Sequence, residues 1–311
     1  MVYSFSGIGA APGTAVADLY TQNRLLFDVS SGEHTMFWPD NARLVISISM
    51  QFEAGAQGDA ADGPFPPLDR KFLDTITPTW YAYGMREGVP RLLDLWDRHH
   101  VKVTSHMVGR SAELEPALAR QVVERGHEAS GHGQTWTPQY SMTPEEEREA
   151  YRASIASLEH ITGMRPVGFN AFWMRQTPHT LSILQELGFI YHIDDLSRDE
   201  PSIRQVNGKP FAVVPYTHRN NDIVRYDNPA LTVSAFAQEL KDEFDTLYDE
   251  AERRRRMMSI SCHDRISGQP AKVKAIGEFI VYAQTHPGVV FMRKDAIARF
   301  ALAQADTPRA G

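Results

Sequence analysis

The stretch "EASGHGQTWTPQY", residues 128–140, begins like the end of a β-strand and carries a histidine, His132. A zinc site on this frame wants a second histidine four residues on, and Trp136 stands there instead. An indole nitrogen is a donor only and offers a metal no lone pair. A catalytic zinc takes three protein ligands plus water, so this stretch alone does not make one. Other chemistry-bearing side chains recur at the ends of apolar runs. Gln51 and Glu53 close "RLVISISMQFE", Asn170 follows "RPVGF", and Asp194 and Asp195 close "FIYHIDD". Tyr216 ends "FAVVPY", with Asn221 and Asp222 just beyond, and His263 ends "MMSISCH", followed by Asp264 and Arg265. A glutamate and two histidines gathered at one place are the residue types of general acid–base catalysis. Each also has a plainer role. A strand-end glutamate is solvated or paired with an arginine, the two aspartates cap a loop, Tyr216 is core, and His263 is a satisfied core histidine.

The elements that must position these residues alternate. After residue 43 the runs read strand, helix, strand, helix to the C-terminus: "VPRLLDLWDRHH" is an amphipathic helix, "VKVTSHMVG" a strand, and "ELEPALARQVVERG" a helix with a Gly stop. "TPEEEREAYRASIASLEHITG" has Thr143 as N-cap, Pro144 at the first helical position, acids in the first turn and Gly163 at the end. Such alternation implies parallel strands joined by right-handed crossovers. It predicts a distorted (β/α) barrel of about seven parallel strands over residues 41–305, preceded by an arm and loops over 1–40. The alternative is an open doubly wound sheet. It would want a phosphate-binding Gly-rich loop opening a helix after the first strand, and "FEAGAQGDA" is followed by no clear helix. In a parallel barrel the C-terminal strand ends form one site, which is where the polar residues collect.

The bulk composition fits one globular enzyme-sized unit. The chain has 311 residues, 42% of them hydrophobic and 23% charged, enough for a sizeable core. The net charge of −7, with both signs mixed, provides no basic stripe for nucleic acid. The one basic block, residues 253–256, reads as a solvated helix C-terminus. The single cysteine, Cys262, permits no intrachain disulfide and suits a reducing compartment. Alternation beside His263 turns it away from the barrel mouth, as a buried small hydrophobe. The N-terminus lacks the pattern of a signal peptide, and no run of about 18 apolar residues is present. The expectation is a cytoplasmic protein with a small-molecule substrate and no nucleic-acid or membrane partner.

The order of a strand ending in an acid, "GHEASGH", "RPVGF", "LQELGFIYHIDD" and a late "SCH" resembles the polysaccharide deacetylase (NodB-homology, carbohydrate esterase family 4) superfamily. "FWPDNARLVISISMQFEAG", "YGMREGVPRLLDLW", "YHIDDLSRDEP", "VVPYTHRNND" and "MMSISCHDRISGQPAKVKAIGEFI" resemble its metal-independent allantoinase-like branch. The resemblance implies a distorted barrel, hydrolysis of an amide and, by analogy with those allantoinases, a homo-oligomer, possibly a tetramer. Typical members carry two aspartates after the first strand, two histidines four apart that complete an Asp-His-His metal site, a late histidine as general acid, and an arginine on the "RPP" strand. Here Glu53 and Ala54 replace the aspartates, Trp136 the second histidine and Asn170 the arginine, while His263 is kept.

With Glu53 and His132 alone in ligand positions, no tightly bound metal or other cofactor is expected, and only a weak divalent site at that pair stays open. The expected catalytic residues are Glu53 as base, His263 as acid and His132 exchanging roles with either. Expected substrate contacts are Trp136 and Phe172 as an apolar wall, backbone groups or Asn170 at the oxyanion, Arg175, Tyr216, Asn221 and Asp222 at the ring edges, and also Gln51 and Asp195. Three functions compete: ring opening of a small cyclic amide or imide, metal-assisted deacetylation of an N-acetylated sugar, and non-catalytic binding of a small ligand.

Overall fold

The structure is a computed structural model, and it describes residues 37–57, 63–66, 68–69, 71–226 and 232–310, all within one compact unit, 36–311. Most of the expected N-terminal arm, residues 1–36, lies outside the described residues.

The longest strand is β1, Leu44–Phe52. β2 (Thr104–Met107), β3 (Glu128–Gly131), β4 (Gly168–Phe169), β5 (Tyr191–His192), β6 (Ser202–Val206), β7 (Lys209–Val213), β8 (Met257–His263) and β9 (Val289–Phe291) follow in sequence. The sheet order is β6-β7-β5-β4-β3-β2-β1-β8, with β9 also on β1. β8 pairs along Val45–Gln51 of β1, while β9 takes Leu44–Ile46 and β2 takes Ser49–Phe52 on the opposite edge. Every pairing is parallel except β6 with β7. This is the expected distorted barrel, realised as a half-barrel. Among the described residues no strand ladder joins β7 to β8. The segment after β7 crosses that seam, with Asn221 bridging to Ser261 and the Ser259 hydroxyl donating to the Pro215 carbonyl at 2.6 Å.

The helices are α1 (Thr77–Tyr83), which runs through a π-helical turn, Gly84–Gly88, into α2 (Val89–Arg98), then α3 (Gly109–Leu114) and α4 (Pro116–Glu124). α5 (Pro144–Thr162), α6 (Thr180–Glu186), α7 (Asp222–Tyr226), α8 (Val233–Glu250), α9 (Pro270–Gln284) and α10 (Lys294–Ala303) complete the set. α5 starts as its sequence requires. The Thr143 hydroxyl accepts from the Glu146 amide, the Glu146 carboxylate accepts from the Thr143 amide, and Gly163 ends the helix at φ 72°. A cap of this kind contributes about 1 kcal/mol. Among the described residues no helix is long and apolar enough to cross a membrane.

Three readings of the sequence need correction. The helix expected over 113–126 is two helices, broken at Glu115 before Pro116. β6 was not expected. Its hairpin with β7 turns on Asn207 (φ 47°) and Gly208 (φ 72°), a pair of positive φ angles that Asn-Gly adopts readily. The block 253–256 is only half solvated. Arg255 is buried, donating to the Phe37 carbonyl at 3.1 Å and to Asp306 at 2.8 Å, and buried Arg256 donates to Glu250 at 2.5 Å. An arginine with a carboxylate and carbonyls in reach is satisfied inside, so a basic block need not face water.

Candidate active site

β1 supplies the site by strict alternation. Leu44, Ile46, Ile48, Met50 and Phe52 point outward into the core beneath the helices. Ser47, Ser49, Gln51 and Glu53 fill the other face, and all of them are buried. Val45, on the same face, joins an apolar cluster, so the interior is polar only above it, and Glu53 stands at its top.

Glu53 is 1% exposed and holds three cationic or potentially cationic partners. Its Oε1 lies 3.2 Å from His132 Nε2 and 3.6 Å from His263 Nε2, and its Oε2 accepts from Arg265 Nη1 at 2.9 Å. Burial alone would raise its pKa, but His263, the hydrogen bond from His132 and Arg265 outweigh burial and hold the carboxyl well below the usual carboxylate range. The same partners favour the carboxylate form of Glu53.

His263 ends β8 with its Nδ1 2.5 Å from Asp222 Oδ1, while its backbone N–H donates to Asp222 Oδ2 at 2.6 Å. Ser267 donates to the same oxygen through its hydroxyl at 2.7 Å and its amide at 3.1 Å. Burial lowers the imidazole pKa, but Asp222 and Glu53 more than reverse this, so the net shift is upward. Asp222 is shifted downward, because the stabilisation from His263 and Ser267 exceeds the cost of burial. His132 is fixed from behind, its Nδ1 2.7 Å from the Asn170 carbonyl. A carbonyl can only accept, so Nδ1 carries a proton.

Arg265 is held in turn. Its Nη1 also reaches Asp264 Oδ1 at 3.3 Å, and its guanidinium carbon lies 4.8 Å from the ring centroids of Trp80 and of Tyr81. Asp264 Oδ2 accepts from the amides of Glu53 and Ala54 at 3.0 and 3.1 Å, which pins the end of β1. Gly88 belongs to this arrangement. A Cβ there would sit 1.9 Å from the Asp264 carbonyl oxygen, so only glycine lets the π-helical turn approach.

The mouth is aromatic. Trp136 meets the His132 ring edge-on at 5.1 Å and packs on Phe172 at 4.6 Å. The cleft is narrow, with a cavity volume of about 40 Å³ and a mouth open to solvent, and Gln51, Glu53, His132, Trp136, Asn170, Tyr216, Asn221 and His263 line it together with Ala171, Trp173, Met174 and Ile223.

The expected site residues thus divide. Glu53, His132 and His263 meet, and Gln51, Trp136, Asn170, Tyr216 and Asn221 line the cleft. Phe172 stands behind Trp136, and Asp222 behind His263 rather than at a ring edge. Arg175 is exposed, over the Tyr140 ring at 5.7 Å, and does not line the cleft. The Asp195 carboxylate accepts from the Ser197 amide at 2.8 Å and hydroxyl at 2.5 Å, the loop-capping role. Asn170 lines the cleft, but its Nδ2 donates to Asp194 at 2.8 Å and to the Ala171 carbonyl at 3.2 Å, so it is already engaged rather than free to face an oxyanion. Arg265 carries no expected role although it is named beside His263, and Trp173, Met174 and Ile223 have no expectation at all. Arg265 had a visible signal in its place two residues after His263. Trp173 and Met174 reach the cleft through positive φ angles of 52° and 58°, which nothing in their sequence announces.

The residues do not fit the metal that the superfamily implies. Among the described residues no group of three or more His, Cys, Asp or Glu is arranged to hold an ion. A cation at Glu53 would also face the Arg265 guanidinium on the same carboxylate.

Comparison with known proteins places this chain in a family. The polysaccharide deacetylase family model matches residues 78–192. The structure of a probable polysaccharide deacetylase from Pseudomonas aeruginosa PAO1 is 34% identical, with a TM-score of 0.78 over 84% of this chain and 92% of that one. The structure of Puue allantoinase is 32% identical, with a TM-score of 0.81 over 89% of this chain and 95% of that one. A peptidoglycan deacetylase-like protein of Gibberella zeae is 33% identical over 142 residues, 44% of this chain and 42% of that one. The chain belongs to the polysaccharide deacetylase family. It is a hydrolase of carbon–nitrogen bonds.

Proposed function

We propose that this hydrolase opens the ring of a small cyclic amide or imide, of the hydantoin or allantoin kind, by acid–base chemistry of its own side chains. The observation that carries this is the meeting of Glu53 Oε1 with two imidazole Nε2 atoms beside the Trp136–Phe172 wall. The likeness to an allantoinase over nearly the whole chain supports it.

A flat ring stacks on Trp136 with its carbonyl carbon over Glu53. Glu53 Oε1 orients a water and takes its proton as the oxygen attacks. His132, its Nδ1–H anchored at the Asn170 carbonyl, turns the Nε2–H that meets Glu53 toward the developing oxyanion. The carbonyl carbon–nitrogen bond breaks, and His263 Nε2–H gives its proton to the departing ring nitrogen. A carboxylic acid is left, which ionises, and a neutral ureido or amide nitrogen. Glu53, held low, does not keep the water proton. It returns the proton to His263 across the 3.6 Å gap, which resets the pair. A positioned acid or base of this kind contributes roughly 100- to 10,000-fold in rate.

The test is a panel of hydantoins, cyclic imides and N-acetylated sugars offered to the purified enzyme. Turnover of the cyclic compounds with none of the sugars is expected. Turnover of the sugars alone would establish the second reading, a deacetylase, which the family match favours.

A further inference from the structure

Gln51 has a polar atom that the fold does not use. The side chain is 1% exposed on β1, two residues before Glu53 on the same face, about 6–7 Å along the strand. Its Nε2 donates to the Tyr216 hydroxyl at 2.7 Å, and that hydroxyl is hydrogen-bonded to Ser261 Oγ on β8. These contacts fix the amide plane. Its Oε1 is buried and has no partner, and Gln51 is one of the residues that line the cleft. Buried amide oxygens are almost always paired, because an unpaired one forfeits the hydrogen bonds it made to water. Other buried polar atoms of this interior lack partners as well, among them His106 Nδ1, but among the described residues Gln51 is the one of these that also lines the cleft.

We infer that Gln51 Oε1 receives a ring N–H of the substrate, so that the substrate class is a cyclic amide or ureide with a free N–H beside the carbonyl attacked. This rests on the ring-opening reading above and narrows it. With the carbonyl carbon over Glu53, the ring extends along β1 toward Gln51 and places a ring nitrogen at the amide oxygen. A ring alkylated at that nitrogen has no hydrogen to give and puts a methyl group against a buried acceptor. A site built around one hydrogen bond rejects an analogue lacking it by on the order of 10,000-fold or more.

The experiment compares kcat/KM for hydantoin, 1-methylhydantoin and 3-methylhydantoin in the wild-type enzyme, Gln51→Met and Tyr216→Phe. The wild type is expected to reject one methylated isomer by at least about 100-fold. Gln51→Met, close in size, is expected to lose about 10- to 100-fold on the parent compound and to bring the ratio of parent to rejected isomer near one. Tyr216→Phe frees the amide to rotate and shrinks the same ratio. Each ratio is taken within one preparation, so partial misfolding of a variant does not alter it. Equal turnover of all three compounds by the wild type, or an unchanged ratio in Gln51→Met, would overturn the inference while leaving ring opening intact. No turnover of any of them by the wild type would overturn ring opening itself, and this inference with it.

Discussion

His263 and Asp222 are joined twice, side chain to side chain at 2.5 Å and backbone N–H to carboxylate at 2.6 Å. The double contact fixes the ring so that its far nitrogen faces Glu53, and it makes Asp222 the main reason the imidazole pKa is raised. An acid catalyst works only while protonated. Activity is therefore expected to be present below the raised pKa of His263 and to fall as pH rises through it. Glu53 is held low and places no acid limb in the ordinary carboxylate range. Asp222→Asn removes the charge that favours the protonated ring, so the alkaline limb of kcat/KM against pH moves to lower pH. His263→Ala is expected to lose roughly 100- to 10,000-fold at every pH. An unmoved limb in Asp222→Asn would show that another group supplies the proton.

Trp136→His tests whether the tryptophan merely replaced a ligand. The new imidazole would join Glu53 and His132, but Arg265 already occupies Glu53 Oε2 and Ala54 brings no carboxylate. Weak zinc binding at most is expected by calorimetry. Native activity is expected to drop on the order of 100-fold, the scale of a substrate misplaced by about 1 Å. A variant that binds zinc tightly and works as well as the wild type would remove Trp136 from the account.

Cys262 is fully buried on the outward face of β8, in register with Met50. Its thiol is pushed up by burial and by nearby Asp222, the reverse of an activated nucleophile. Cys262→Ala is expected to keep most activity and to lose about 1 kcal/mol of stability in urea unfolding. Loss of turnover in a folded variant would revive a thiol mechanism.

Gly208 sits at φ 72° with nothing within 4 Å of where a Cβ would be. Gly208→Ala therefore carries backbone strain alone, about 1–2 kcal/mol. A matching fall in thermal stability with unchanged kcat/KM is expected, because the β6–β7 turn is remote from the cleft.

These particulars show what the sequence made legible. The strand β1 is legible in "LVISISMQFE", with Gln51 and Glu53 at its end. The Thr143 cap and Gly163 stop are local chemistry, so α5 was readable at both ends. The Asn207-Gly208 turn was equally local and was overlooked between stronger runs. Other features depend on contacts far apart in the chain. Arg265 reaches Glu53 from 212 positions away. Nothing near Asn170 in the sequence shows its partner, because Asp194 lies 24 positions on, just past the end of β5. Arg255 was read as solvated because Asp306 and the Phe37 carbonyl arrive only with the fold. A strand-end position tells that a side chain is near the mouth, and only packing tells whether it faces the cleft or caps a loop, as Asp195 does.

The central claim is that Glu53, His132 and His263 perform the hydrolysis with no metal held between them. It is tested most directly by assaying hydantoin or allantoin turnover before and after exhaustive chelation, with metal content measured on the same samples. The account predicts the same kcat/KM in both, and no gain when zinc, cobalt or nickel is returned. Activity that vanishes with chelation and is restored by one equivalent of a divalent cation would contradict it.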